Sequence, residues 1–209
     1  MKFLRNWLGK FLGLFNLQSS GDGVSDGIAP EKEILEEYLR FLMEVLQAEV
    51  DSNGDPGVVY RLLGENQDKL DLTFAEILKR WFESEVDPDN SERNQFLAAT
   101  LNNFAIDISD FPLGSRANNL EIAIASYQAA LDIYTRQAFP QDWAMTQNNL
   151  GIVYRNRIRG ERAENLEMAI ASYQAALDIY TRQAFPQDWA MTQNNLGNVY
   201  LYRIRGERA

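Results

Sequence analysis

Residues 120–163 read LEIAIASYQAALDIYTRQAFPQDWAMTQNNLGIVYRNRIRGERA, and residues 166–209 read LEMAIASYQAALDIYTRQAFPQDWAMTQNNLGNVYLYRIRGERA. The two stretches agree at 40 of 44 positions at an offset of 46 residues. A unit of this length cannot bury its own apolar face and has to stack on its neighbours, so the recurrence predicts a solenoid. Upstream, Leu101-Asn102-Asn103-Phe104-Ala105 falls at the same spacing, with Asn102 standing 46 residues before Asn148. The array is therefore expected to begin near residue 92.

Each copy reads as two helices. In the second, Leu166, Ala169, Ile170, Tyr173, Ala176, Leu177 and Tyr180 recur at helical spacing, and Asn165 is the expected N-cap. The first starts after Pro140, with Asp142 in the turn where the helix dipole favours an acid. It runs through Trp143, Leu150 and Tyr154 and is expected to stop near Gly160. Alanines and Gly151 would let neighbouring helices approach closely.

The pattern Leu150-Gly151-x-x-Tyr154 followed by Ala169-x-x-x-Tyr173-x-x-Ala176 resembles the tetratricopeptide repeat. The family's usual unit has 34 residues; these copies are longer, with the extra length assigned to the loops around Arg159 to Ala163 and around Phe139-Pro140-Gln141. The family's aromatic residue in the first helix falls on Gln147, with Trp143 one turn earlier. Such long-loop copies resemble the arrays of cyanobacterial multidomain proteins. The resemblance implies an all-α solenoid of antiparallel helix pairs, preceded by a helical capping segment, that binds extended peptides in its concave groove.

Where the copies differ is informative. Ile122 becomes Met168, read as an exchange within the core. The other differences are Ile152 to Asn198, Arg155 to Leu201 and Asn156 to Tyr202. At about 100° per residue these positions share one side of the first helix with Met145 and Asn148. Trp143, Leu150 and Tyr154 lie on the other side. The expected groove thus holds Met145, Asn148, Ile152, Arg155 and Asn156 in one copy, and Met191, Asn194, Asn198, Leu201 and Tyr202 in the next. The arginine-rich loop from Arg155 to Arg162 is expected to cap helix ends and to pair with Glu161, Glu164 and Glu167.

Composition narrows the chemistry. The chain of 209 residues has neither histidine nor cysteine, which removes the commonest general base and the commonest metal ligands together. No catalytic residue, metal site or cofactor is expected, and the chain reads as a non-enzyme. The net charge of −10 is concentrated in residues 31–90, which argues against nucleic-acid binding there. No apolar run is long enough for a transmembrane helix.

The organisation expected is an amphipathic basic helix at 1–17, a flexible linker at 18–30, an acidic helical capping region at 31–90 and the array at 91–209. Within the array lie a degenerate repeat at about 92–137, a repeat at about 138–183 and a truncated repeat at about 184–209. In the capping region Phe74, Ile77, Leu78 and Trp81 should be buried. Asp51-Ser52-Asn53-Gly54-Asp55 reads as a turn, because Leu62 stands where a calcium loop needs its last glutamate. Residues 1–17 place Leu4, Trp7, Leu8, Phe11, Leu12 and Phe15 on one side with only basic charges. That suits a membrane surface as well as self-docking on a protein groove. The chain stops inside a repeat, so its last helix is expected either to be followed by more sequence or to support self-association. The reading is a cytoplasmic scaffold for a protein or peptide ligand, with peripheral membrane association left open. The alternative is the truncated N-terminal regulatory arm of a larger effector such as a caspase-like protease.

Overall fold

The computed structural model describes residues 28–206. Among the described residues there are eight α-helices and no strand: α1 (Ile28–Asp51), α2 (Pro56–Glu65), α3 (Leu72–Glu85), α4 (Ser91–Asp110), α5 (Arg116–Ile133), α6 (Pro140–Asn156), α7 (Arg162–Leu177) and α8 (Pro186–Gly206). The expected all-α architecture of stacked helix pairs is what forms. The amphipathic segment 1–17 lies outside the described residues. Of the linker expected at 18–30, residues 28–30 belong to α1 and the rest lies outside the described residues; proline is tolerated in α1 there because a first-turn N–H has no partner within the helix.

Three first helices, α4, α6 and α8, contact one another in sequence, while α5 packs on α4 and α6, and α7 packs on α6 and α8. The closeness within a pair comes from glycine. A Cβ on Gly151 would lie 2.8 Å from Cε1 of Tyr173, whose ring covers that stretch of α6. The equivalent Gly197 on α8 has nothing within 4 Å.

Between pairs the chain folds back on a built turn. The Thr135 hydroxyl accepts from the Ala138 N–H at 3.1 Å, the Phe139 N–H donates to the Thr135 carbonyl, and Phe139 meets Tyr134 edge-on at 5.7 Å. The same turn recurs at Thr181, Ala184, Phe185 and Tyr180, with the rings 5.6 Å apart. Trp143 packs against the Tyr134 cluster on one side and the Tyr180 cluster on the other, so each junction is joined to the next.

Two helix ends differ from the sequence reading. Helix α7 starts at Arg162 with Glu161 at its N-cap, four residues before the expected cap at Asn165. Asn165 is buried and donates its amide to the Arg159 carbonyl at 2.8 Å, holding the α6–α7 loop. Asn119 does the same to the Leu113 carbonyl at 2.9 Å. Helix α6 ends at Asn156, not near Gly160, which instead supplies the positive φ of 75° inside the loop.

At the front, α1 packs on α2, α3 and α4, and α3 packs on α5. Phe74, Ile77, Leu78 and Trp81 of α3 are buried, and Phe74 meets Phe41 of α1 and Phe104 of α4. The α1–α2 connection is the turn read from sequence: Asn53 and Gly54 take positive φ, and the Asp55 carboxylate caps α2 by accepting from the Gly57 N–H. Ile122, on α5, is buried, whereas its counterpart Met168 on α7 is 39% exposed. Met168 is therefore not a core residue: α5 carries α3 on its outer side and, among the described residues, α7 carries no such helix.

Gly151→Ala and Gly197→Ala separate packing from helix propensity. Alanine gains about 1 kcal/mol over glycine in a helix interior, but at residue 151 the Tyr173 ring must move, at a cost of about 1–3 kcal/mol. The first variant should unfold at lower urea than wild type and the second at equal or higher urea, followed by circular dichroism.

Candidate binding face of the first helices

The site is built by three parallel rows on α4, α6 and α8, at 46-residue spacing. On α6 the ring of positions decides which side chains are free. Ala144, Thr146, Asn148, Leu150, Gly151, Val153 and Tyr154 are buried. Met145 and Asn156 are exposed, and Asn149, Ile152 and Arg155 are half-buried. Met145, Asn149, Ile152 and Asn156 project within about 60° of one another, a single narrow stripe. The corresponding stripe on α8 is Met191, Asn195, Asn198 and Tyr202, and on α4 it is Ala99, Asn103, Ile106 and Asp110; every one of these is at least partly exposed.

Asn148 departs from the expectation. It is only 2% exposed, and its Oδ1 accepts from the Thr192 hydroxyl at 3.2 Å and from the Asn195 amide at 3.3 Å, both on α8. The same contact recurs one repeat earlier, where Thr146 Oγ1 lies 3.1 Å from Asn102 Oδ1. Asn148 is thus a rung between adjacent first helices, because the next first helix lies along its side of α6. Asn194, its counterpart, is exposed on α8. The asparagine that does reach the open stripe is the second of each pair, Asn103, Asn149 and Asn195. Sequence reasoning passed over it, although the Asn-Asn doublet stands in all three copies.

The remaining predicted positions are accessible. Ile152 and Arg155 are half-buried and Asn156 is exposed, while Asn198 is half-buried and Leu201 and Tyr202 are exposed. Tyr202 also receives the Arg162 guanidinium 5.8 Å above its ring, which ties this end of α8 to the start of α7. The stripe is mainly apolar and amide-bearing, with Asp110 its one acid on α4 and Arg155 beside it on α6.

The arginines of the loop are structural, with partners that differ in part from those expected. Arg157 grips Glu121 of the preceding second helix with two bonds of 2.8 and 2.7 Å, and the hydrogen bonding raises the arginine further above its usual range. Arg203 pairs with Glu167 at 3.0 Å, one repeat on. Arg162 donates to the Arg155 carbonyl and Arg116 to the Ser109 carbonyl, each closing the end of a first helix. Glu121 was not among the expected partners, yet its signal was present: Arg157 and Arg203, like Glu121 and Glu167, stand 46 residues apart. Burial pushes the Tyr173 phenol up to about 12, which keeps it neutral. No group of carboxylates able to hold a metal occurs among the described residues.

Asn148→Ala and Asn149→Ala test which asparagine is structural. The first leaves the buried Thr192 hydroxyl without its acceptor and should cost about 1–3 kcal/mol of stability. The second should stay within about 0.5 kcal/mol of wild type. Urea denaturation of the two variants side by side reads the difference.

Against known proteins, the tetratricopeptide repeat family matches at residues 143–180, which spans most of α6 and the whole of α7. No curated protein and no solved structure matches the chain. No helix among the described residues is long and apolar enough to cross a membrane. The helix pair α6–α7 is thus the part of the chain that matches a tetratricopeptide repeat, and the turns, ion pairs and buried rungs of that pair recur in its neighbours.

Proposed function

We propose that the chain is a scaffold that holds an extended segment of another protein along the stripe formed by α4, α6 and α8. The observation that carries this reading is the divergence between two otherwise near-identical copies. Three of their four differences, at 152, 155 and 156, fall on or beside the accessible stripe. Apart from Ile122, the buried positions are unchanged, and so are many exposed positions elsewhere, among them Gln183 and Glu161. A repeat whose frame is held and whose open face varies is what selection for different contacts along one ligand leaves behind.

The chemistry of the stripe narrows the ligand. Amides at 103, 149 and 195 carry both donors and acceptors, which suits bonds to a peptide backbone. Ile106, Met145, Ile152 and Met191 are apolar and suit side chains of similar character. Asp110 on the first row and Arg155 beside the middle row carry opposite charge, which would set the direction in which the segment lies. Binding a partner in this way requires no turnover, and the scaffold reading treats the chain as non-catalytic.

A display library of random peptides, selected on the wild-type chain, tests this. Recovered peptides should bind the triple variant Met145→Ala, Ile152→Ala, Asn156→Ala at least about tenfold more weakly, since a 1.4 kcal/mol loss is one decade. They should bind the control Glu164→Ala, Gln183→Ala, on the second helix and its loop, as they bind wild type. Peptides held equally by the triple variant and lost by the control would place the ligand on the other layer and overturn the reading. Circular dichroism of each variant checks that the fold is intact.

A further inference from the structure

Between α1 and α4 lies a pair of acids in a place built for apolar side chains. Asp107 is 46 residues before Val153 and 92 before Val199, and both valines are buried. Asp107 is itself 6% exposed, and Glu49 of α1, within hydrogen-bonding reach of it, is 3% exposed. Neither Glu49 oxygen has a hydrogen-bond donor, and neither has Asp107 Oδ2. Two ionised carboxylates are acceptors only, so they cannot satisfy each other. A single proton shared between them changes that: one acid then donates to the other, and one of two buried like charges is removed.

Among the described residues, no cation acts on the pair. The groups acting on the pair are Asp110 on the same helix and Asp55 at the N-cap of α2. The phenols Tyr60 of α2 and Tyr127 of α5 also sense Asp107 and Asp110. All are acids or neutral hydroxyls. Burial, with the neighbouring carboxylates, pushes both Glu49 and Asp107 upward from the ordinary carboxylate range.

We propose that Glu49 and Asp107 form a proton-operated latch that holds α1 on the repeat array, closed while the pair shares a proton and loosened when that proton leaves. In the closed state the bond joins the last turns of two helices that otherwise meet through apolar contacts. Losing the proton places two like charges against each other in the α1–α4 seam, and moving α1 outward is the direct way to hydrate them. The folded chain holds more protons here than the unfolded one, so this contribution to stability is largest in acid and is lost as pH rises beyond the ordinary carboxylate range.

The absence of histidine and cysteine makes the test unusually clean. Between about pH 5.5 and about pH 8.5 ordinary carboxylates, lysines, arginines and tyrosines keep their charge, and the terminal amine is common to all variants. Asp132, which burial and Glu83 also push upward, is controlled by Asp132→Asn. The wild-type thermal midpoint should fall by several degrees across this range, and so should that of Asp132→Asn. Glu49→Gln, which gives Asp107 a permanent amide donor, should show no such fall. Amide exchange, corrected for its intrinsic dependence on pH, should show α1 losing protection at the alkaline end while α6 and α7 keep theirs. If Glu49→Gln does not fold, the double variant Glu49→Leu, Asp107→Val replaces the pair by the apolar contact of the later repeats and should fold with a flat profile. A wild-type midpoint that does not move, a replaced pair that keeps the wild-type slope, or protection lost evenly over α1 and α7 would overturn the latch.

Discussion

The ring of Tyr173 lying on Gly151 is the contact from which the geometry of the array follows. With no Cβ on α6 at that point, the two helices of a pair come close enough for the aromatic face to replace a side chain. That separation then fixes where everything else falls: the Arg157 fork reaching back to Glu121, the Gln128 amide 3.1 Å from the Tyr154 hydroxyl, and Trp143 between two aromatic clusters. In the first pair the same positions hold Ala105 and Tyr127, both buried. A small residue facing a tyrosine is the shared rule, and glycine is its tightest form.

Polar contacts set the register that apolar packing leaves loose. Leucine and alanine stripes can slide by a turn at modest cost, but a buried amide that misses its partner loses a hydrogen bond in a region without water. The Asn102–Thr146 and Asn148–Thr192 rungs between first helices, and Asn119 and Asn165 on the loop carbonyls, each allow one alignment. These four asparagines are nearly or wholly inaccessible. Their recurrence at 46 residues therefore reports on the frame and carries no information about a ligand.

This is also where sequence reading reached its limit. Helix pairs, their order and the stripe of Leu166, Ala169, Ile170, Tyr173 and Ala176 were legible because periodicity is a property of one helix. Asn148 and Asn149 are neighbours only 100° apart, and choosing between them requires knowing on which side the next first helix arrives. Asn165 looked like a cap because asparagine caps well, but the loop carbonyl at Arg159 competes for its amide. Met168 looked like core because Ile122 is, and only the placement of α3 against α5 separates them. Asp107 was hidden for the opposite reason: in the weakly similar first copy, an acid at a valine position reads as drift until Glu49 is seen facing it.

The first pair and the later ones are joined to what precedes them by different forces. Arg157 and Arg203 reach glutamates of the preceding second helix, whereas the equivalent position in the first pair is Phe111, buried edge-on to Tyr60 of α2 at 5.4 Å. Dissolved electrolyte screens the former and, for strongly hydrated salts, reinforces the latter. Of the two ion pairs, Arg203–Glu167 is about half exposed and Arg157–Glu121 is mostly buried, so the sensitivity of a junction to electrolyte grows along the array, from Phe111 to Arg157 to Arg203.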